Sequence, residues 1–152
     1  MPRDELIIHW KNLMKHVGFT GSRKGLMSKQ KAKLKEVIRL VASSSIEAHH
    51  GLCRGADDEF HRIVEEIYDP TARTIVGHPP TDKTHYVPNR CDVTREDKEY
   101  ITRNHNIVDE SDILIACPDG PEKHRSGTWS TIRYAKKKGK AVFVVLPDGS
   151  FS

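Results

Sequence analysis

The amino-acid sequence predicts a single α/β domain of the doubly wound type, with a five-stranded parallel sheet covered by helices on both faces. Three observations predict it. Short β-branched runs alternate with helical patterns along the chain, and the segments joining them are mostly short and marked by glycine. The run Ile113–Cys117 is apolar throughout, as in a strand buried on both faces. Strands that alternate with helices need right-handed crossovers, which put helices on both sides of the sheet. A chain of 152 residues suffices for one such core, and no internal repeat or low-complexity linker divides it.

Leu6, Ile7, Trp10, Leu13 and Met14 fall at three- and four-residue spacings, which predicts a short amphipathic leading helix over residues 1–14. A strand near residues 16–20 then enters the glycine turn of HVGFTGSRKG. Ser28 is the expected N-cap of a helix extending to about Ala42, with Leu34, Val37, Ile38 and Val41 as its apolar stripe. Ile46–His50 reads as the second strand, and GLCRGADDEFHRIVEEIY turns directly into a helix with Asp57 and Asp58 in its first turn. Thr74, Ile75 and Val76 form a third strand that stops at His78-Pro79-Pro80, because proline has no N–H for a central ladder. After a polar loop, a third helix is expected from about Thr94 to Val108, with Glu96 and Asp97 in its first turn. Ile113–Cys117 is the fourth strand, residues 128–138 the fourth helix, and the valine-rich run Ala141–Leu146 the fifth strand.

Composition narrows the classes. With 36% hydrophobic and 30% charged residues, the chain lies outside the disordered range. The excess of 25 Lys and Arg over 21 Asp and Glu, a net charge of +4, mildly favours anionic partners. The basic residues are scattered, so nucleic acid is only weakly supported. The run Lys136, Lys137, Lys138 and Lys140 closes a helix, where cations offset the dipole. Cys53, Cys91 and Cys117 include no CxxC pair, which predicts reduced thiols rather than a disulfide framework or zinc ribbon. The opening MPRDELIIHWKNLMKH interrupts its apolar residues with charge, so neither a signal peptide nor a membrane span is expected and the location expected is cytoplasmic.

In a doubly wound sheet, ligands bind beyond the carboxyl ends of the strands, where the strand order reverses. After the first strand stand Gly18, Gly21, Ser22 and Arg23: small residues let N–H groups approach an anion, Ser22 adds a hydroxyl, and Arg23 can pair with a phosphate oxygen. This spacing is neither GxGxxG nor GxxxxGK[ST]. After the second strand, Gly51 and Gly55 flank Arg54 just before a helix start, and Asp57 either caps that helix or holds Arg54 or a ribose hydroxyl. After the fourth strand, Ser126, Gly127 and Thr128 open a helix as a third anion nest, and Trp129 is either a stacking platform or core. His78, at the end of the third strand, is a further candidate for the pocket.

Other constellations point less clearly to chemistry. His49, His50, Cys53 and His61 lie close in sequence, but strand alternation sends His49 and His50 to opposite faces and no HExxH or paired-cysteine motif occurs, so no metal site is expected. Cys53 precedes a helix N-terminus and adjoins Arg54, both of which lower a thiol pKa, but no base is identifiable and an inert thiol is the expectation.

HHGLCRGADDEFH, HPP, RNHNIVDESDILIACPDG and RSGTWSTIRYAKKKGK together resemble the SLOG superfamily of Rossmann-like nucleotide-binding domains, over about residues 16–148. That superfamily includes the lonely-guy (lysine-decarboxylase-like) phosphoribohydrolases, the DNA-processing protein A recombination mediators and small stand-alone proteins of the YspA and YpsA type, which this chain resembles most. Against the phosphoribohydrolase pattern R-K-x-x-M-x-x-x-S-D and P-G-G-x-G-T-x-x-E, Arg103, Asn104, Ile107, Ser111, Asp112, Pro118 and Gly120 fall in step, as do Gly127 and Thr128 after an insertion. The resemblance implies that Arg103, Asn104 and the Ser126–Thr128 turn face the phosphosugar of a nucleotide. The family's catalytic glutamate is replaced by Thr131, which cannot act as a carboxylate. Asp119 and Glu122 are the nearest acids in sequence that can substitute. The expected function is therefore binding of a nucleotide or nucleotide-derived ligand, with no cofactor expected. The alternatives are an N-glycosidase acting on nucleoside monophosphates, and single-stranded DNA binding as in the recombination mediators. The resemblance also allows a homodimer.

Overall fold

In the computed structural model, residues 14–152 are described; the leading helix expected over residues 1–14 falls almost wholly outside them. The elements run β1 (Lys15–Gly21), α1 (Ser28–Val41), β2 (Ile46–His50), α2 (Ala56–Ile67), a 3₁₀ turn (Pro70–Ala72), β3 (Arg73–Gly77), β4 (Val93–Thr94), α3 (Tyr100–Asp109), β5 (Ile113–Cys117), α4 (Gly127–Lys137) and β6 (Ala141–Val144). The sheet has six strands in the order β4-β3-β2-β1-β5-β6, all parallel.

The sixth strand corrects the expected five. Val93 and Thr94 pair with Val76 and Gly77 at the sheet edge. Asp92 anchors them: its carboxylate accepts the Ile75 N–H at 2.7 Å, and its own N–H donates to the Ile75 carbonyl. The same stretch moves the start of α3. Thr81 donates to the Lys98 carbonyl and Lys98 to the Pro79 carbonyl, so the segment expected as a helical first turn is held as a ladder and the helix begins after Glu99. At α1 the N-cap is Met27 rather than Ser28, and the Gln30 side chain reaches back to accept the Met27 N–H.

The main core lies between the sheet and α1/α2. Val17 and Phe19 point into it from β1, and Phe19 stacks on Phe60 of α2 with ring centroids 4.4 Å apart. The opposite face is covered by α3 and α4, where Leu114 and Ala116 of β5 meet Val108, Trp129, Ile132 and Ala135. Gly18 lets α3 lie close: a Cβ there would meet Ser111 Oγ at 2.7 Å and Ile107 Cγ2 at 3.0 Å. Among the described residues no helix is long and apolar enough to cross a membrane.

Candidate ligand site

Strand order reverses between β1 and β5: from β1 the chain winds outward through β2 and β3, then returns to β5 on the other side. Two adjacent strands whose following loops depart in opposite directions leave a crevice at their carboxyl ends. A cleft of about 410 Å³ opens there, between the loop after β1, the loop after β2, the start of α3 and the N-terminus of α4. Five basic side chains (Arg23, Lys24, Arg103, Lys123, Arg125) and two acidic ones (Asp57, Asp119) line it.

Arg103 organises the floor. It is 6% exposed, and its guanidinium donates to the Gly51 carbonyl at 2.5 Å, the His78 carbonyl at 3.3 Å and Asn104 Oδ1 at 2.8 Å. A planar fork can serve several fixed acceptors at once, so this one side chain ties the β2 and β3 loops to α3. Gly51 is required by close approach, since a Cβ there would run into the Arg103 guanidinium. The next residue, Leu52, is buried with a φ of 55°, a left-handed conformation stabilised because its N–H donates to His50 Nδ1 and its carbonyl accepts from Val87.

Asp57 lies in the same floor, 7% exposed, accepting the Cys53 N–H at 3.2 Å. Burial pushes its carboxyl up to about 6, against the opposing pull of Arg103, the Cys53 and Gly51 N–H donors and Arg23. The folded-state value lies above that of the unfolded chain, so between about pH 4 and 6 the folded state holds the extra proton and stability rises as pH falls; above pH 6 the buried charge opposes folding. A difference of about two in pKa corresponds to roughly 3 kcal/mol. Asp57→Asn keeps an acceptor for Cys53 and removes the charge. It is expected to raise the urea midpoint at pH 7.5 and to change it little at pH 4; an equal shift at both would contradict this.

The Cys53 thiol, 5% exposed, lies 3.8 and 3.9 Å from the two terminal nitrogens of Arg103. Burial, then Asp57, pushes it above its ordinary value despite that cation, which favours the neutral thiol.

The β1 loop spends most of its own donors. Ser22 donates its N–H to the Cys117 carbonyl, Lys24 donates to Ser22 Oγ and Gly25 to the Ser22 carbonyl, so what this loop offers a ligand is chiefly the Arg23 side chain. The α4 terminus is different. Ser126 is its N-cap, accepting the Trp129 N–H at 3.2 Å, while the Gly127 and Thr128 N–H groups precede the first helical hydrogen bond and remain for a ligand.

Of the residues singled out from sequence, Gly21, Ser22, Arg23, Gly51, Asp57, Arg103, Asn104, Asp119, Ser126, Gly127 and Thr128 line the cleft. Arg54, Gly55, His78, Glu122 and Trp129 do not. Arg54 is exposed, because the left-handed turn at Gly55, φ 82°, is spent on docking α2 against the β1 loop and the arginine is carried outward. Arg54→Ala is accordingly expected to change the affinity for phosphate-bearing ligands less than threefold in a calorimetric titration. His78 is buried with its ring against His49, 2.9 Å between nitrogens, and offers only its carbonyl to Arg103. Trp129 is 9% exposed and belongs to the core, with its indole N–H donating to the Gly120 carbonyl. Glu122 pairs with Arg133 outside the cleft, and Asp119 lies within 4 Å of both Lys24 and Lys123. Thr131 is buried in α4, its hydroxyl donating back to the Gly127 carbonyl.

Tyr100, Lys24, Lys123 and Arg125 also line the cleft and were not anticipated. Tyr100 lies between two guanidiniums, with Arg23 4.9 Å and Arg103 5.3 Å from its ring centroid. Its three-residue spacing from Arg103 on one helix was the available signal.

Solved structures share this architecture. The molybdenum cofactor binding protein from the phototrophic bacterium Rippkaea orientalis superposes with a TM-score of 0.68 at 20% identity, over 89% of this chain and 78% of that one. The Moco carrier protein from Chlamydomonas reinhardtii gives 0.63 at 22% identity, over 90% and 77%. The structural-genomics target TM1055 gives 0.62 at 23% identity, over 85% and 72%. No family model and no curated protein matches the chain. The chain therefore has a Rossmann-like α/β fold, and shares that fold with a molybdenum cofactor binding protein and a cofactor carrier protein.

Proposed function

We propose that this chain binds a nucleotide or nucleotide-derived small molecule, with its phosphate on Arg23, Ser22 and the Ser126–Thr128 turn and with Arg103 supplying charge beneath it. The observation that carries this reading is the convergence, at the β1/β5 switch point, of two arginines and an open helix N-terminus in one predominantly basic cleft. Each favours an anion by a different means: guanidinium hydrogen bonds, N–H donors, and the dipole of an eleven-residue helix. Two of the fold neighbours are described as binding or carrying the molybdenum cofactor, a nucleotide-derived ligand, which supports a small-molecule partner. The SLOG resemblance of the loops supports the same class.

A binding role fits better than hydrolysis because the glutamate position is the buried Thr131 and Asp119 is neutralised by two lysines. One observation favours the N-glycosidase reading: Asp57 is a carboxyl in the cleft floor with its pKa near neutrality, as a general acid requires. Incubation with a panel of nucleoside monophosphates separates the two. Release of free base that is lost in Asp57→Asn would establish hydrolysis; unchanged nucleotide together with saturable binding supports the binding role. Native mass spectrometry of protein purified from cells is expected to show a phosphate-bearing adduct.

A further inference from the structure

On the sheet face covered by α3, a chain of titratable side chains runs from His16 on β1 through Glu47 and His49 on β2 to His78, just beyond the end of β3. His16 Nδ1 lies 2.9 Å from Glu47 Oε2, which lies 2.8 Å from His49 Nε2. His49 Nδ1 lies 2.9 Å from His78 Nε2, and His78 Nδ1 lies 3.8 Å from Glu110 Oε2. The other Glu110 oxygen takes two N–H groups of Arg95, at 2.9 and 2.6 Å.

Glu47 Oε2 lies within hydrogen-bond distance of both His16 Nδ1 and His49 Nε2, so one carboxylate oxygen and two imidazole nitrogens converge on one point. A cation shared by these three atoms takes the Nε2 lone pair of His49, so that ring carries its proton on Nδ1 and donates to His78 Nε2. His78 then carries its own proton on Nδ1, toward Glu110 Oε2 at 3.8 Å, and the His49–His78 bond fixes the ligating tautomer of His49, the usual support of a metal-bound histidine.

We propose that His16, Glu47 and His49 form a site for a divalent transition-metal cation of the zinc class, with His78 and Glu110 as positioning residues. The backbone brings the ligands together: His16 and Glu47 are register partners on neighbouring parallel strands, and Glu47 and His49 point to the same face two residues apart. Two imidazoles and one carboxylate suit zinc and its neighbours, and leave a coordination position open. The side chains of His16 and Glu47 are 44% and 25% exposed, so the cation has a path from solvent. With metal–ligand distances of about 2.0–2.2 Å, tetrahedral ligand atoms stand roughly 3.3 Å apart, so each contact opens by about 0.5 Å. The same reasoning rejects the other buried group, His50, His61 and Cys91: the Leu52 N–H donates to His50 Nδ1, which obliges Nε2 to carry the proton and leaves it no lone pair for a metal.

The test uses the full chain stripped with a chelator and titrated with Zn²⁺ against a chromophoric competitor. One equivalent is expected to bind with a Kd of about 1 μM or tighter. His16→Ala and Glu47→Gln, both at partly exposed positions, are each expected to weaken it at least tenfold. Glu110→Gln is expected to weaken it about tenfold while the stoichiometry stays at one, and His61→Ala to leave it unchanged. Absence of saturable binding below about 100 μM, or an affinity unmoved by His16→Ala and Glu47→Gln, would overturn the site. An affinity unmoved by Glu110→Gln would overturn the positioning role.

Discussion

Arg103→Ala is expected to abolish detectable binding of phosphate-bearing ligands and to lower folding stability by about 3–5 kcal/mol. The size follows from burial. Arg103 is 6% exposed, and its guanidinium satisfies two backbone carbonyls, Gly51 and His78, from the loops after β2 and β3. Truncation leaves both acceptors buried and unpaired, opens a void beneath the cleft and leaves Asp57 without its nearest counter-charge. For a domain of this size the loss corresponds to a fall in Tm of about 10 °C or more. Arg103→Lys keeps the charge but not the planar fork, so it is expected to recover part of the stability and little of the binding. Denaturant titration of the three proteins checks this; an unchanged midpoint in Arg103→Ala would show that the floor is not held by this residue.

Gly55→Ala is expected to cost about 3 kcal/mol or more, although Gly55 does not itself line the cleft. The residue has φ 82° and ψ −125°, a conformation side chains rarely adopt. An added Cβ would also run into the carbonyl of Arg23 and stand 2.7 Å from that of Ser22, and the Ser22 carbonyl is the acceptor for the Ala56 N–H that docks α2 on the β1 loop. Backbone is the obstacle on every side, so no rotamer relieves it. The contrasting change is Gly127→Ala, whose Cβ would meet nothing within 4 Å and which is expected to alter stability by less than about 0.5 kcal/mol. Thermal melts of the pair decide whether strain at Gly55, rather than loss of glycine in general, is responsible.

The parts of the fold that could be read from sequence are those whose signal is local. Ile113–Cys117 is a central strand because it is apolar without interruption, and the α2 start is marked by acids after a glycine turn. β4 has only two residues and exists because Asp92, seventeen positions from its partner Ile75, ties it to the edge, a contact no periodicity encodes. Residues 94–99 carry a helix-like acidic first turn, but the ladder between Lys98 and the Pro79–Thr81 stretch overrides that preference.

The cleft followed the same division. Ser22, Arg23 and Ser126–Thr128 lie on loops that leave the two switch-point strands, so topology alone directs them to it. Arg54 and Trp129 share their loops and helix turns with lining residues, yet one is turned to solvent and the other into the core, a choice made by the φ of Gly55 and by the Gly120 carbonyl. Asp57 and Arg103 meet across 46 residues of sequence, and the raised pKa of the acid comes from a burial that no motif records. The imidazole chain from His16 to His78 stayed hidden for the same reason, since its members come from two strands and the loop beyond a third.

Calorimetric titration with matched pairs of ligands, each nucleoside monophosphate beside its own nucleoside, tests the central claim most directly. The phosphate should strengthen binding at least tenfold, about 1.4 kcal/mol, for the preferred base, and Arg23→Ala should remove most of that difference while leaving nucleoside affinity unchanged. Equal affinity for nucleotide and nucleoside, or a full phosphate increment in Arg23→Ala, would contradict a phosphate anchored in the β1/β5 cleft.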